Sequence, residues 1–97
     1  MRLRYTLPAL ADLDAILDYA AARSPQGAAR IHFRIKAILD LILRYPWIGA
    51  MTEDAAIRRV TTTPYPYLIF YEATDDEIVV HAVRHGARDP SDRPRSP

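Results

Sequence analysis

Two histidines and several arginines in the second half of the chain are the residue types from which phosphate chemistry could be built. His81 and His85 could transfer protons near neutral pH, while Arg59, Arg84 and Arg88 could hold phosphate oxygens where negative charge develops. Such a set would serve metal-independent phosphodiester cleavage, which needs a proton acceptor, a proton donor and placed cations. Each residue also has a plainer role. His85 ends an apolar run and could bond backbone to fix a turn at Gly86, a glycine expected at positive φ. His81 alternates with Val79 and Val83 and reads as a strand-face residue, and His32 reads as a boundary residue beside a helical apolar stripe.

A second group of residues suits gripping a macromolecule. Arg30 and Arg34 lie one helical turn apart, as a solvated face or as contacts for an acidic partner. Tyr65, Tyr67 and Tyr71 share one parity of a strand and Leu68 and Phe70 the other, so either set could face the core. The outward set would be a surface for a partner. Trp47 with Ile48 is expected to close the end of a helical hairpin against a sheet, and Asp12, Asp14 and Asp18 read as solubility residues on an exposed helix side.

The elements that must position these side chains follow from periodicity and punctuation. Met1 to Tyr5 alternates as a short strand, and Thr6 with Pro8 marks a helix start. Leu10, Leu13, Leu17 and Ala20, with Ile16, give a helix to about Arg23. Ser24 and Pro25 start a second helix whose stripe is Ala28, Ile31, Ile35, Ile38, Leu39 and Ile42, ending near Arg44 because Pro46 disfavours helical geometry at Tyr45. Tyr45 to Ala56 reads as a loop, and Ile57 to Thr62, Tyr67 to Ala73 and Glu77 to Arg84 as three strands. Pro64 and Pro66 are expected in the turn before the middle one. The order β-α-α-β-β-β is α+β, a helical hairpin on one face of a small, mainly antiparallel sheet.

Length and composition set bounds. Ninety-seven residues with a formal net charge of +1 make one domain, expected over residues 1 to 89, with 90 to 97 a mobile tail. Near neutrality argues against bulk nucleic-acid binding, although residues 1 to 50 carry seven basic and four acidic groups (+3) and residues 51 to 97 six and eight (−2). With no cysteine and three unclustered histidines, neither a metal site nor any other cofactor is indicated. No apolar run would span a membrane, and a cytoplasmic location is the expectation.

Four pieces of the chain together resemble a known family. They are Arg4-Tyr5-Thr6-x-x-Ala9-x-x-Asp12-Leu13, Tyr45-Pro46-x-x-Gly49, Pro66-Tyr67-x-Ile69-x-Tyr71 and Val83-x-His85-Gly86-Ala87-Arg88-Asp89. In this order and spacing they resemble the ParE branch of the ParE/RelE superfamily, over residues 2 to 89. The resemblance implies a bacterial type II toxin, held inactive by a cognate antitoxin in a hetero-oligomer and poisoning DNA gyrase without catalysis of its own. The alternative it carries is a ribosome-dependent messenger-RNA endoribonuclease of RelE type, using His85, Arg88, Arg84 and Arg59. RelE relatives usually open the strand equivalent to Tyr67–Tyr71 with a catalytic arginine and carry a C-terminal acid/base residue. Here the strand opens on Tyr65-Pro66-Tyr67, and the chain beyond Arg88 has no tyrosine, histidine or lysine. A third reading is a degenerate toxin that serves only to bind antitoxin. Arg30, Arg34, Tyr65, Tyr67 and Tyr71 are the candidates for antitoxin contact, and Arg59, Arg84, His85 and Arg88 those for target contact.

Overall fold

In a computed structural model, residues 1–86 are described. The element order is β1 (Arg2–Tyr5), α1 (Leu7–Arg23), α2 (Pro25–Arg44), β2 (Ala50–Met51), β3 (Arg58–Thr62), β4 (Tyr65–Ala73) and β5 (Glu77–His85). The strands form one sheet in the order β1-β5-β4-β3-β2. β1 runs parallel to β5, and the remaining pairs are antiparallel. The fold is the α+β arrangement expected from the sequence, with one more strand.

The helices start and stop where the punctuation places them. Thr6 Oγ1 accepts from the Ala9 N–H at 3.2 Å, satisfying one of the orphan donors of α1. Ser24 makes the whole hairpin turn: its N–H donates to Ala20 O at 2.9 Å to close α1, and its Oγ accepts from Gly27 N–H at 3.0 Å to open α2. The stripe of α2 is buried through Ile31, Ile35, Ile38, Leu39 and Ile42, packed with Ile69, Tyr71, Ile78, Val80 and Val83 of the sheet. Each such buried aliphatic side chain contributes about 1.5–3 kcal/mol by removing apolar surface from water.

Several expectations are corrected. In α1 the side chain buried deepest is Ala9, and Leu10 stands exposed; Leu13, Ile16, Leu17 and Ala20 do pack on the core. The short β2 lies inside the segment read as loop; two residues are too few to show alternation. β4 begins at Tyr65 and includes Pro66, which is tolerated because it lies beyond the last pair registered with β5, Tyr67–His85, and within the irregularity of the β3 pairing between Leu68 and Tyr65, with its carbonyl accepting from Gly86 N–H at 2.9 Å. Gly86 has no positive φ, and a Cβ there would meet Leu68 at 3.4 Å, an ordinary contact.

Parity along the two long strands resolves the open choice of faces. Tyr67, Ile69 and Tyr71 belong to the core cluster, so Leu68 and Phe70 occupy the side that no helix covers. On β5 the register passes from Phe70–Ala82 to Tyr71–Val80, leaving His81 as the extra residue of a bulge. The bulge puts Val80 and Val83 on the core side although they are three residues apart, so His81 and Val83 do not share a face.

Trp47 does not close the hairpin: it is 63% exposed, and Ile48 is exposed beside it. That end of the core is filled instead by Tyr71, whose Oη donates to Pro46 O at 2.8 Å and accepts from Gly49 N–H at 3.0 Å. Trp47 is left on the outer side of the loop under Arg58, whose guanidinium lies 5.1 Å from its ring and donates to Trp47 O and Gly49 O.

Candidate functional site

The residues singled out for phosphate chemistry divide between two faces. On β5, Arg84 is registered with Leu68 on the open side, whereas His85 is registered with Tyr67 on the core side. The His85 ring meets the Tyr67 ring edge-on at 5.5 Å, at the mouth of a depression of about 210 Å³ lined by Ala15, Ile16, Tyr19 and Tyr67. Arg59 is registered with Phe70, on the same open side as Arg84, but in a row two residues away and on the far side of β4. Adjacent strand residues alternate faces, so the backbone sends Arg84 and His85 to opposite sides of the sheet. Arg88 lies outside the described residues, as does the segment 90–97 expected to be mobile.

Arg84 is anchored at the strand edge. Where β1 ends, the second half of β5 has no strand on its outer edge among the described residues, and the start of α1 supplies the missing partners. Thr6 N–H donates to Val80 O at 3.0 Å, Thr6 Oγ1 donates to His81 O at 3.3 Å, and Asp12 Oδ2 accepts from Val83 N–H at 3.0 Å. The same carboxylate oxygen lies 3.9 Å from Arg84 Nε. Asp12 is therefore a structural residue covering a sheet edge, not one of three solubility residues. An aspartate beside an apolar helix stripe carries no sign of this, because its partner is a backbone group 71 positions away.

A different cluster occupies the open face. His81 Nε2 lies 3.0 Å from Glu72 Oε1, both side chains being about one-third exposed. Beside them Arg4 donates to both carboxylate oxygens of Glu77, at 3.3 and 3.1 Å. Bonding and attraction to Glu77, with a smaller pull from Glu72, raise the Arg4 guanidinium above its ordinary value. This part of the face mixes signs and offers no continuous cationic stripe. Among the described residues, no group of three or more histidine or carboxylate side chains could hold a metal ion.

The antitoxin-contact candidates separate more usefully. Tyr71 is fully buried and Tyr67 nearly so, which makes them core residues; Tyr71 in particular presents nothing to a partner. Burial pushes its phenol above the ordinary tyrosine value, against the smaller lowering effects of Gly49 N–H and Arg58. Arg30, Arg34 and Tyr65, by contrast, converge on one groove of about 620 Å³ between α2 and the β3–β4 turn, completed by Ala29, Phe33, Thr63 and Pro64. Arg34 Nε donates to Thr63 O at 2.8 Å, tying the helix to the turn and forming one wall. The lining includes Phe33, 76% exposed and absent from the residues the sequence singled out. Its signal was available: a phenylalanine that falls off the Ile31-Ile35-Ile38-Ile42 stripe faces solvent on a helix otherwise well patterned.

Comparison with known proteins identifies the family. Toxin RelE2 of Caulobacter vibrioides is 38% identical over 84 residues, covering 87% of this chain and 93% of that one. A solved structure described as the chromosomal ParDE TA system from P. aeruginosa superposes with a TM-score of 0.74 at 25% identity, covering 88% of this chain and 95% of its own. No helix among the described residues is long and apolar enough to cross a membrane. The family model for the ParE toxin of type II toxin-antitoxin systems, parDE, matches residues 3–90, and the chain belongs to that family.

Proposed function

We propose that this ParE-family toxin arrests growth in the cytoplasm by binding DNA gyrase, without catalysis of its own, and that its cognate antitoxin neutralises it in a hetero-oligomer. The observation that carries the non-enzymatic part is the division of Arg84 and His85 between opposite faces of β5. A base and a phosphate-binding cation must meet at one reacting centre, within hydrogen-bond reach of the same group. The purified toxin is expected to inhibit gyrase supercoiling. Full supercoiling at toxin concentrations well above the enzyme would reject this reading.

One observation favours a second reading, a metal-independent endoribonuclease. The Glu72–His81 pair stands on the open face that also carries Arg59 and Arg84, and a carboxylate-oriented imidazole is a general acid–base device. On that reading arrested cells contain cut messenger RNA and His81→Ala abolishes the cutting. Intact transcripts in arrested cells exclude it.

A further inference from the structure

The two edges of the sheet are finished differently. At one, β1 carries Arg2 and Arg4, and the second half of β5 is capped by Thr6 and Asp12. Charged side chains and covering segments of this kind keep a sheet from pairing with another. At the other edge β2 has neither: from Trp47 to Thr52 the chain holds no charged residue and no proline, and Ala50 and Met51 are both exposed. Large apolar side chains crowd this edge, with Tyr45, Trp47, Ile48 and Met51 between 46% and 63% exposed. Met51 is registered with Arg58, whose guanidinium lies over Trp47, so the three sit together on the helix side of the edge. The loop carrying Trp47 is held by hydrogen bonds from Tyr71 to Pro46 O and Gly49 N–H and from Arg58 to Trp47 O and Gly49 O. Trp47 is thus exposed and already ordered, which lowers the entropic cost of using it in an interface.

We propose that this edge is an interface with a second copy of the chain, the two β2 strands meeting antiparallel about a two-fold axis. The charges flanking the apolar centre select that occupant. Arg44 precedes the patch and Arg58 lies over Trp47, while Glu53 and Asp54 follow Met51 at the other end. A two-fold axis reverses the strand direction, so it brings the cationic end of one copy to the acidic end of the other and gathers the apolar side chains of both at the centre. A partner of a single charge sign would meet repulsion at one end, whereas a second copy meets attraction at both. A formal net charge of +1 puts little overall repulsion between copies. The patch is smaller than the about 20–30 residues a side of a standard interface, so the expected dimer is weak, with a Kd of about 10–100 μM. None of the residues lining the α2 groove belongs to this edge, and the interface adds to the proposed function without resting on it.

The test is sedimentation of the full-length toxin alone over a concentration series reaching about 200 μM, within which the wild type is expected to pass from monomer to dimer. Met51→Lys, which places a charge on the bare edge, and Trp47→Ala are each expected to weaken the dimer about 10-fold or more. Arg44→Glu and Glu53→Lys are each expected to weaken it about 5-fold at low salt, and the double variant, in which both ends exchange sign, to return within about 2-fold of wild type. Phe33→Glu, in the α2 groove, is expected to change it less than about 2-fold. Circular dichroism checks folding. The chain has no cysteine, so Met51→Cys introduces a single thiol, and a short bis-maleimide is expected to join two copies of that variant and not two copies of Phe33→Cys. A wild type that stays monomeric throughout the series overturns the proposal. A dimer abolished by Phe33→Glu and untouched by Met51→Lys gives the contact to the groove and also overturns it. A double variant no better than its two parents overturns the pairing of opposite ends about a two-fold axis.

Discussion

Tyr71 shows how one buried polar atom can organise a loop. Its Oη bonds Pro46 O and Gly49 N–H, and a Cβ on Gly49 would stand 2.7 Å from that oxygen and 2.9 Å from Arg58 Cβ. Tyr71→Phe leaves both backbone groups without their partner and is expected to cost about 1–2 kcal/mol in denaturant unfolding. Gly49→Ala is expected to cost about 1–3 kcal/mol by overpacking the same point. The phenol also predicts a pH dependence. Burial raises the folded-state values of both Tyr71 and Tyr5, so the folded chain holds those protons more tightly than the unfolded one. Stability from this source is fully present below the unfolded value of about 10 and falls as pH rises through the higher folded values. The melting temperature is expected to be level between about pH 8 and 9.5 and to drop above about 10, with a shallower drop in Tyr71→Phe and Tyr5→Phe. A melting temperature independent of pH up to 11 in the wild type would contradict it.

The helices and the long strands were legible because their signals are local. Thr6, Ser24 and the prolines beside them mark the helix starts, and the isoleucine stripe of α2 needs only a 3.6-residue period to be seen. What escaped depends on partners distant in sequence. The bulge at His81 inverts the parity of half a strand, β2 exists only because Ala50 and Met51 pair with Arg59 and Arg58, and Asp12 finds its role at an edge left bare by the end of β1. The site was affected in the same way: Arg30, Arg34 and Tyr65 were found and converge, whereas Arg84 and His85, adjacent in sequence, separate. The Asp12 clamp can be tested against its neighbours. Asp12→Ala strips an acceptor from a half-buried strand N–H and is expected to destabilise by about 1–2 kcal/mol. Asp14→Ala and Asp18→Ala, both on the exposed side of α1, are expected to stay within about 0.5 kcal/mol of wild type. Equal effects at all three positions in urea unfolding would return Asp12 to the solubility group.

A domain of this size has little interior to enclose a small molecule, and its functional surfaces are correspondingly spread over the outside. The arginine-rimmed groove lies where α2 meets the β3–β4 turn, while Arg59 belongs to the sheet face that no helix covers. The near-neutral total charge averages these unlike surfaces, which is why it argues against bulk nucleic-acid binding without excluding either kind of local contact. Separate placement predicts separable functions. If the groove meets the antitoxin, Phe33→Glu should leave growth arrest intact but make it resistant to co-expressed antitoxin, since the substitution alters only the groove. Arg59→Glu should weaken arrest and gyrase inhibition about 10-fold or more if the open face meets the target, because reversing a charge at an interface replaces attraction with repulsion. That variant should still bind antitoxin within about 2-fold of wild type, its side chain not lining that groove. Both readouts can be taken in one strain by titrating toxin against antitoxin expression and scoring growth. Joint loss of toxicity and neutralisation in each variant, with folding intact, would mean that target and antitoxin compete for a single surface.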